Sequence, residues 1–262
     1  MSLNIQCLRS SLALLVGACA VVSTVGAPAR ASVLVGGTRV ILREKDREAS
    51  ISIKNTGTSP YVVQAWIDDG EGNRKTPFVL TPPLSRLDGG TENVLRIMRV
   101  FATLPADRES VFWLNVKEIP ERPQEDNVLQ IAMRTRIKLF YRPGALPGTP
   151  AEARAQLRWA VAPGPQGHGA VLRIGNPTPY HVTFTALTVN GGTQQINANM
   201  VPPRGEASYP LTVVKAPQAV DVTFTTINDY GGETPVERVH VPAASEPVAA
   251  PLTLVAPPAA RH

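Results

Sequence analysis

The 262-residue sequence holds only two cysteines, Cys7 and Cys19. Both fall within residues 1–31, a segment that reads as a cleaved export signal. Arg9 supplies a basic start, Leu12 to Val22 is apolar, and Ala29-Arg30-Ala31 is a small-x-small cleavage site. The apolar run is too short for the roughly 20 residues that span a bilayer. A membrane anchor, and lipoprotein processing at the lipobox-like Val16-Gly17-Ala18-Cys19, stay open as other uses of the segment. A chain starting at Ser32 has no thiol at all. That excludes disulfides and a cysteine nucleophile, and it requires cores large enough to stand without covalent help.

Charge is also sparse, at 18% of residues, and the formal net of +5 falls to +3 when Arg9 and Arg30 leave with the signal. No basic run is interleaved with aromatics, so nucleic acid is not an expected partner. The parts of an enzyme are missing too: no Gly-x-Ser-x-Gly elbow, no phosphate loop ending in Gly-Lys-Ser/Thr and no His-Glu-x-x-His. The glycine-rich stretch 164–169 does not match the dinucleotide fingerprint. The four histidines, His168, His181, His240 and His262, are scattered without ligand spacing and read as surface or loop residues. No catalytic residue, metal, cofactor or small-molecule substrate is expected.

What the chain has in quantity is 25 prolines and 20 glycines among 43% apolar residues. That composition favours many short strands and turns over long helices, and the length suits two domains. From Ser32 onward, alternating runs are broken by turn residues. Ala49 to Ile53 alternates and stops at Asn55-Thr56-Gly57, and Tyr61 to Ile67 turns back at Asp68-Asp69-Gly70. Ser110 to Ile119 is apolar on both faces, which suits the middle of a sheet. Val94, Ile97 and Val100 break the alternation, which points to a bulge or irregular edge there. The expected organisation is a signal peptide at 1–31, a first sandwich at 32–143, a Pro/Gly linker at 144–150, a second sandwich at 151–243 and a disordered Pro/Ala-rich tail at 244–262.

The longest strand candidate runs from Asn127 to Tyr141. Period two puts Leu129, Ile131, Met133 and Ile137 on one face, with Gln130, Ala132, Arg134, Arg136 and Lys138 on the other. By pattern alone, the stripe reads first as packing into the core of its own domain.

The stretch Asn127-Val128-Leu129-Gln130-Ile131-Ala132 running into Ile137-Lys138-Leu139-Phe140-Tyr141-Arg142-Pro143 resembles the signature of the PapD-like periplasmic pilus chaperones. Thr38-Arg39-Val40, Gln64-Ala65-Trp66-Ile67, Thr81-Pro82-Pro83, Leu104-Pro105, the run from Asp107 to Ser110, Asn115 to Pro120 and the run from Ile227 to Gly232 are similar as well. The resemblance implies an all-β fold of two immunoglobulin-like sandwiches forming a boomerang with a cleft between them. It implies a periplasmic chaperone that completes unfinished pilus subunits by donor-strand complementation and delivers them to an outer-membrane usher.

By the same resemblance, Leu129, Ile131 and Met133 are the donor-strand residues. Arg39 and Lys138 anchor the subunit's C-terminal carboxylate. Glu109, Arg142 and Asp229 form an ionic network between the domains. The short polar link from Glu121 to Asp126 and the lack of cysteine are similar to the short-loop branch of that family. Self-association of the free chaperone stays open, and the alternative role is a structural pilus or adhesin subunit. Such a subunit needs a donor extension ahead of its first domain, and Ser32 to Gly36 is too short for one.

Overall fold

A computed structural model describes residues 32–100, 103–121 and 130–256. The calls on residues 1–31, and on Leu129 within the stripe, lie outside these residues.

Among the described residues the first domain contains nine strands: β1 (Val33–Val35), β2 (Arg39–Arg43), β3 (Glu48–Asn55), β4 (Tyr61–Asp68), β5 (Phe78–Thr81), β6 (Leu84–Leu87), β7 (Glu92–Arg99), β8 (Ser110–Pro120) and β9 (Arg134–Arg142). They form two sheets, ordered β1-β3-β7-β5 and β2-β9-β8-β4-β6. The alternation explains the layering. Ile51 and Ile53 of β3 and Leu95 and Ile97 of β7 meet Leu42, Ala65, Leu114 and Leu139 of the other sheet in one buried core. Asn55 ends β3 as a turn residue: its side chain donates to the carbonyls of Ser59 and Leu87 and accepts from the Gly57 N–H. Central β8 is covered on both sides by β9 and β4.

The second domain opens with a four-residue helix, α1 (Pro150–Ala153), and continues as β10 (Arg158–Pro163), β11 (Ala170–Asn176), β12 (Val182–Val189), β13 (Gln194–Gln195), β14 (Met200–Val201), β15 (Gly205–Leu211), β16 (Val220–Thr226), β17 (Glu237–Val241), β18 (Val248–Ala249) and β19 (Leu252–Leu254). Its sheets run β15-β11-β10-β18 and β13-β12-β16-β17-β19, with β14 on β12. Between them Trp159, Phe184 and Phe224 interlock, the two phenyl rings edge-to-face at 5.5 Å.

Three expectations need correction. The region 94–100 is not irregular: β7 pairs with β3 from Glu92 to Met98 in unbroken register. The buried positions are Leu95 and Ile97, while Val94 and Val100 face outward. The bulge lies instead in β12, between Phe184 and Ala186. Second, the tail is ordered over 244–256. β18 pairs with β10 and β19 with β17, so the tail covers the free edges of both sheets. Arg173 fixes the crossover, donating to the Ser245 carbonyl and to Glu246. Third, β9 begins at Arg134 rather than at Asn127.

Candidate functional site

The site is built on β9 and its partner β2, which run parallel with Arg39 opposite Lys138 and Arg43 opposite Arg142. On β9, Ile137, Leu139 and Tyr141 point into the core, so period two turns Arg134, Arg136, Lys138, Phe140 and Arg142 outward. β2 starts only at Arg39. The edge of β9 from Arg134 to Ile137 therefore has no partner strand on the β2 side among the described residues. Just before it, Ile131 and Met133 are 53% and 42% exposed, whereas Ile137 lies in the core.

Arg39 and Lys138 stand at the end of that open edge. Lys138, only 9% exposed, donates from Nζ to Asn199 Oδ1 of the second domain at 2.7 Å. It also lies over the Trp113 ring, 5.6 Å from the centroid. Arg39 donates from Nη1 to the Ile227 carbonyl at 3.3 Å and lies 5.4 Å over the Phe140 ring, while its buried Nε has no partner. Among the described residues neither cation has an ion-paired carboxylate. Burial, then the charge of Arg39, pushes the Lys138 ammonium down to about 8. Burial also lowers Arg39, against the more distant carboxylates of Asp229 and Glu109.

Four residues along, Arg142 is in the opposite condition. Its Nε donates to Glu109 Oε1 at 2.6 Å, and its two terminal nitrogens grip Asp229 at 2.6 and 2.9 Å. Burial alone would lower this guanidinium, but the hydrogen bonds and charges of Asp229 and Glu109 hold it above its usual value. Glu109 is itself buried, and its second oxygen accepts the His181 N–H at 2.8 Å with the His181 ring Nδ1 at 3.2 Å. Together these groups line a cleft of about 470 Å³, with Arg39, Phe140 and Arg142 on the first-domain side and Thr183, Ile227 and Asp229 on the second.

The structure thus brings Arg39 to Lys138, and Glu109 to Arg142 and Asp229. Two residues at the site carried no signal in the sequence. His181 is a correction to the surface reading: its side chain is buried against Glu109 and Phe140. Asn199 sits in an irregular segment with no motif, and only the fold brings it to Lys138. Trp113 had a strand signal but no functional one, although it underlies both Lys138 and Arg136, the latter at 4.2 Å. Among the described residues no His/Cys/Asp/Glu group could hold a metal ion, and no helix is long and apolar enough to cross a membrane.

The sequence matches two family models: the N-terminal domain of PapD, a pili and flagellar-assembly chaperone, over residues 32–147, and the C-terminal domain of the pili assembly chaperone PapD over residues 152–238. The probable fimbrial chaperone LpfB of Escherichia coli O157:H7 is 42% identical over 209 residues, covering 76% of this chain and 87% of that protein. The crystal structure of the YadV chaperone aligns with a TM-score of 0.69 at 36% identity, covering 80% of this chain and all of that one. A Salmonella enterica structure, the SafA pilin in complex with the SafB chaperone, gives a TM-score of 0.69 at 29% identity, covering 82% of this chain and 99% of that one. By two adjoining domain models and relatives above 35% identity over most of both lengths, the chain belongs to the pili-assembly chaperone family.

Proposed function

We propose that this protein is a periplasmic chaperone that binds pilus (fimbrial) subunits by lending them a strand, completes and caps their fold, and hands them to an outer-membrane usher. It is exported through cleavage of residues 1–31 and works without catalysis. The observation that carries this reading is the open edge of β9 ending on a buried lysine and a half-buried arginine that, among the described residues, have no ion-paired carboxylate.

A subunit lacking its last strand exposes backbone and core to water, which is costly on both counts. Ile131 and Met133, with Leu129 before them, enter the vacant groove, each contributing on the order of 1.5 to 3 kcal/mol when fully buried. The edge from Arg134 to Ile137 pairs with the guest backbone. A guest strand in that lane meets the start of β2 at Arg39 and must stop. If its chain end reaches Arg39 and Lys138, it runs parallel to β9, and its carboxylate takes the charge-assisted bonds both cations lack. The complex of the SafB chaperone with the SafA pilin supports a pilin as the class of guest. The Glu109–Arg142–Asp229 network orients the second domain across the cleft.

The test is co-expression with candidate pilus subunits and purification from the periplasm. Arg39→Ala and Lys138→Ala lose the complex while each chaperone stays folded, and Ile131→Asp weakens capture far more than Gln130→Asp. Normal recovery of subunit with all of these variants would refute the strand-lending site.

A further inference from the structure

The second domain touches both anchor cations with oxygen: Asn199 Oδ1 accepts from Lys138 at 2.7 Å, and the Ile227 carbonyl accepts from Arg39 at 3.3 Å. The Ile227 oxygen is backbone and fixed. Asn199 is different. Its backbone is held, the carbonyl accepting the Phe184 N–H at 2.8 Å, but the residue is exposed and lies in the irregular segment before β14. Its side chain can therefore swing into solvent. The orientation of its amide is forced by chemistry, since an ammonium only donates and only the amide oxygen can accept.

Resting on the anchor reading above, we infer that Asn199 is a built-in competitor for the guest's carboxylate: its side-chain oxygen occupies the Lys138 position of the free chaperone, and a guest chain end must displace it. The argument is one of exchange. A terminal carboxylate replaces a neutral bond to Lys138 with a charge-assisted one, roughly twice as strong. A neutral chain end, such as a terminal amide, replaces an amide oxygen with another amide oxygen and gains nothing there. An internal stretch of a guest chain likewise offers only peptide carbonyls. Asn199 thus sets a threshold that a true chain terminus crosses and an internal segment does not, which fixes the register of the captured strand. Without Asn199, the ammonium would donate to any oxygen with nothing to displace, so charged and neutral ends would both gain affinity by a similar factor and the threshold would fall.

The experiment uses the full chaperone and two synthetic probes: an alternating Val/Thr nonapeptide with a free C-terminal carboxylate, and the same peptide amidated, each fluorescently labelled at the N-terminus. Wild type binds the acid at least about tenfold more tightly than the amide. Asn199→Ala binds both probes more tightly, by about threefold or more, and keeps the wild-type ratio, because neither probe then has to displace a bond to Lys138. Asn199→Asp carries its own carboxylate to Lys138 and weakens the acid probe by about tenfold or more, while keeping the backbone contacts that hold the segment. Affinities for both probes that stay at the wild-type values in Asn199→Ala, or an Asn199→Asp variant that binds the acid normally, overturn the inference and leave the anchor intact. Wild type that binds both probes equally, or neither, removes the anchor reading and the inference with it.

Discussion

Lys138 and Arg142 lie on the same face of the same strand, one helical-turn's worth of residues apart in sequence, yet their surroundings are opposite. Arg142 and Glu109 have side chains only 12% and 2% exposed, with Asp229 completing the set. Lys138, buried, and Arg39, half-buried, form a like-charged pair whose hydrogen-bonded oxygens among the described residues are neutral. A buried charge with matched partners is a structural joint, whereas a buried charge without them is a standing cost. The first joins residues of both domains beside the cleft; under the proposed function, the second is a cost that an anionic guest removes.

Breaking the joint has the largest effect on stability. Arg142→Met strands the Glu109 carboxylate away from water and is expected to cost about 3 to 5 kcal/mol, read as a lower urea midpoint. Adding Glu109→Gln recovers part of that loss, because the stranded charge is gone. If Arg142→Met left the midpoint unchanged, the network would be no better than a surface pair and the contrast with Lys138 would fail.

At the anchor the same kind of substitution acts in the opposite direction. Lys138→Met removes a buried ammonium and is expected to raise stability at pH 7 by about 1 to 2 kcal/mol while abolishing subunit capture. The pH dependence has a definite sign. The folded value of about 8 lies below the ordinary 10.5, so between them the unfolded chain binds more protons than the folded one. The wild type therefore gains stability from this group as pH rises through that window, and the advantage of Lys138→Met shrinks. Urea midpoints of both proteins at pH 7 and pH 10 measure it. An advantage that stayed constant, or a less stable variant at pH 7, would show that Lys138 is well satisfied after all.

The contrast was only partly legible in the sequence. Alternation located Ile51, Ile53 and the central strand at 110–119 because those strands have one solvated face or are covered on both sides. It failed at β7, where the β-branched Val94 and Val100 look like core positions but point outward, and Leu95 and Ile97 carry the burial. The tail at 244–256 lacks a pattern because its two short strands only close edges that β10 and β17 leave open. At the site, Arg39, Lys138 and Arg142 were named through motif resemblance, not through charge or spacing. His181 and Asn199 had no local signal, because each acquires its partner across 72 and 61 residues of chain.

The smallest expected effect is at Trp113. The indole faces Arg136 at 4.2 Å and Lys138 at 5.6 Å, so it supplies the anchor cation with an aromatic partner that carries no charge of its own. A cation over an indole is worth about 0.5 to 1 kcal/mol at an exposed site, which corresponds to a capture loss of about two- to fivefold in Trp113→Leu. Gly70 provides an independent way to move the same ring. Its φ of +104° is unfavourable for other residues, and a Cβ there would lie 2.8 Å from Trp113 Nε1. Gly70→Ala should therefore displace the indole and lower capture by a similar factor, while a melt of the Arg142 network, far along β9, stays where it was. If Trp113→Leu left capture unchanged, Asn199 alone would be holding the Lys138 ammonium, and the anchor would depend on the second domain even more strongly than Arg142 does.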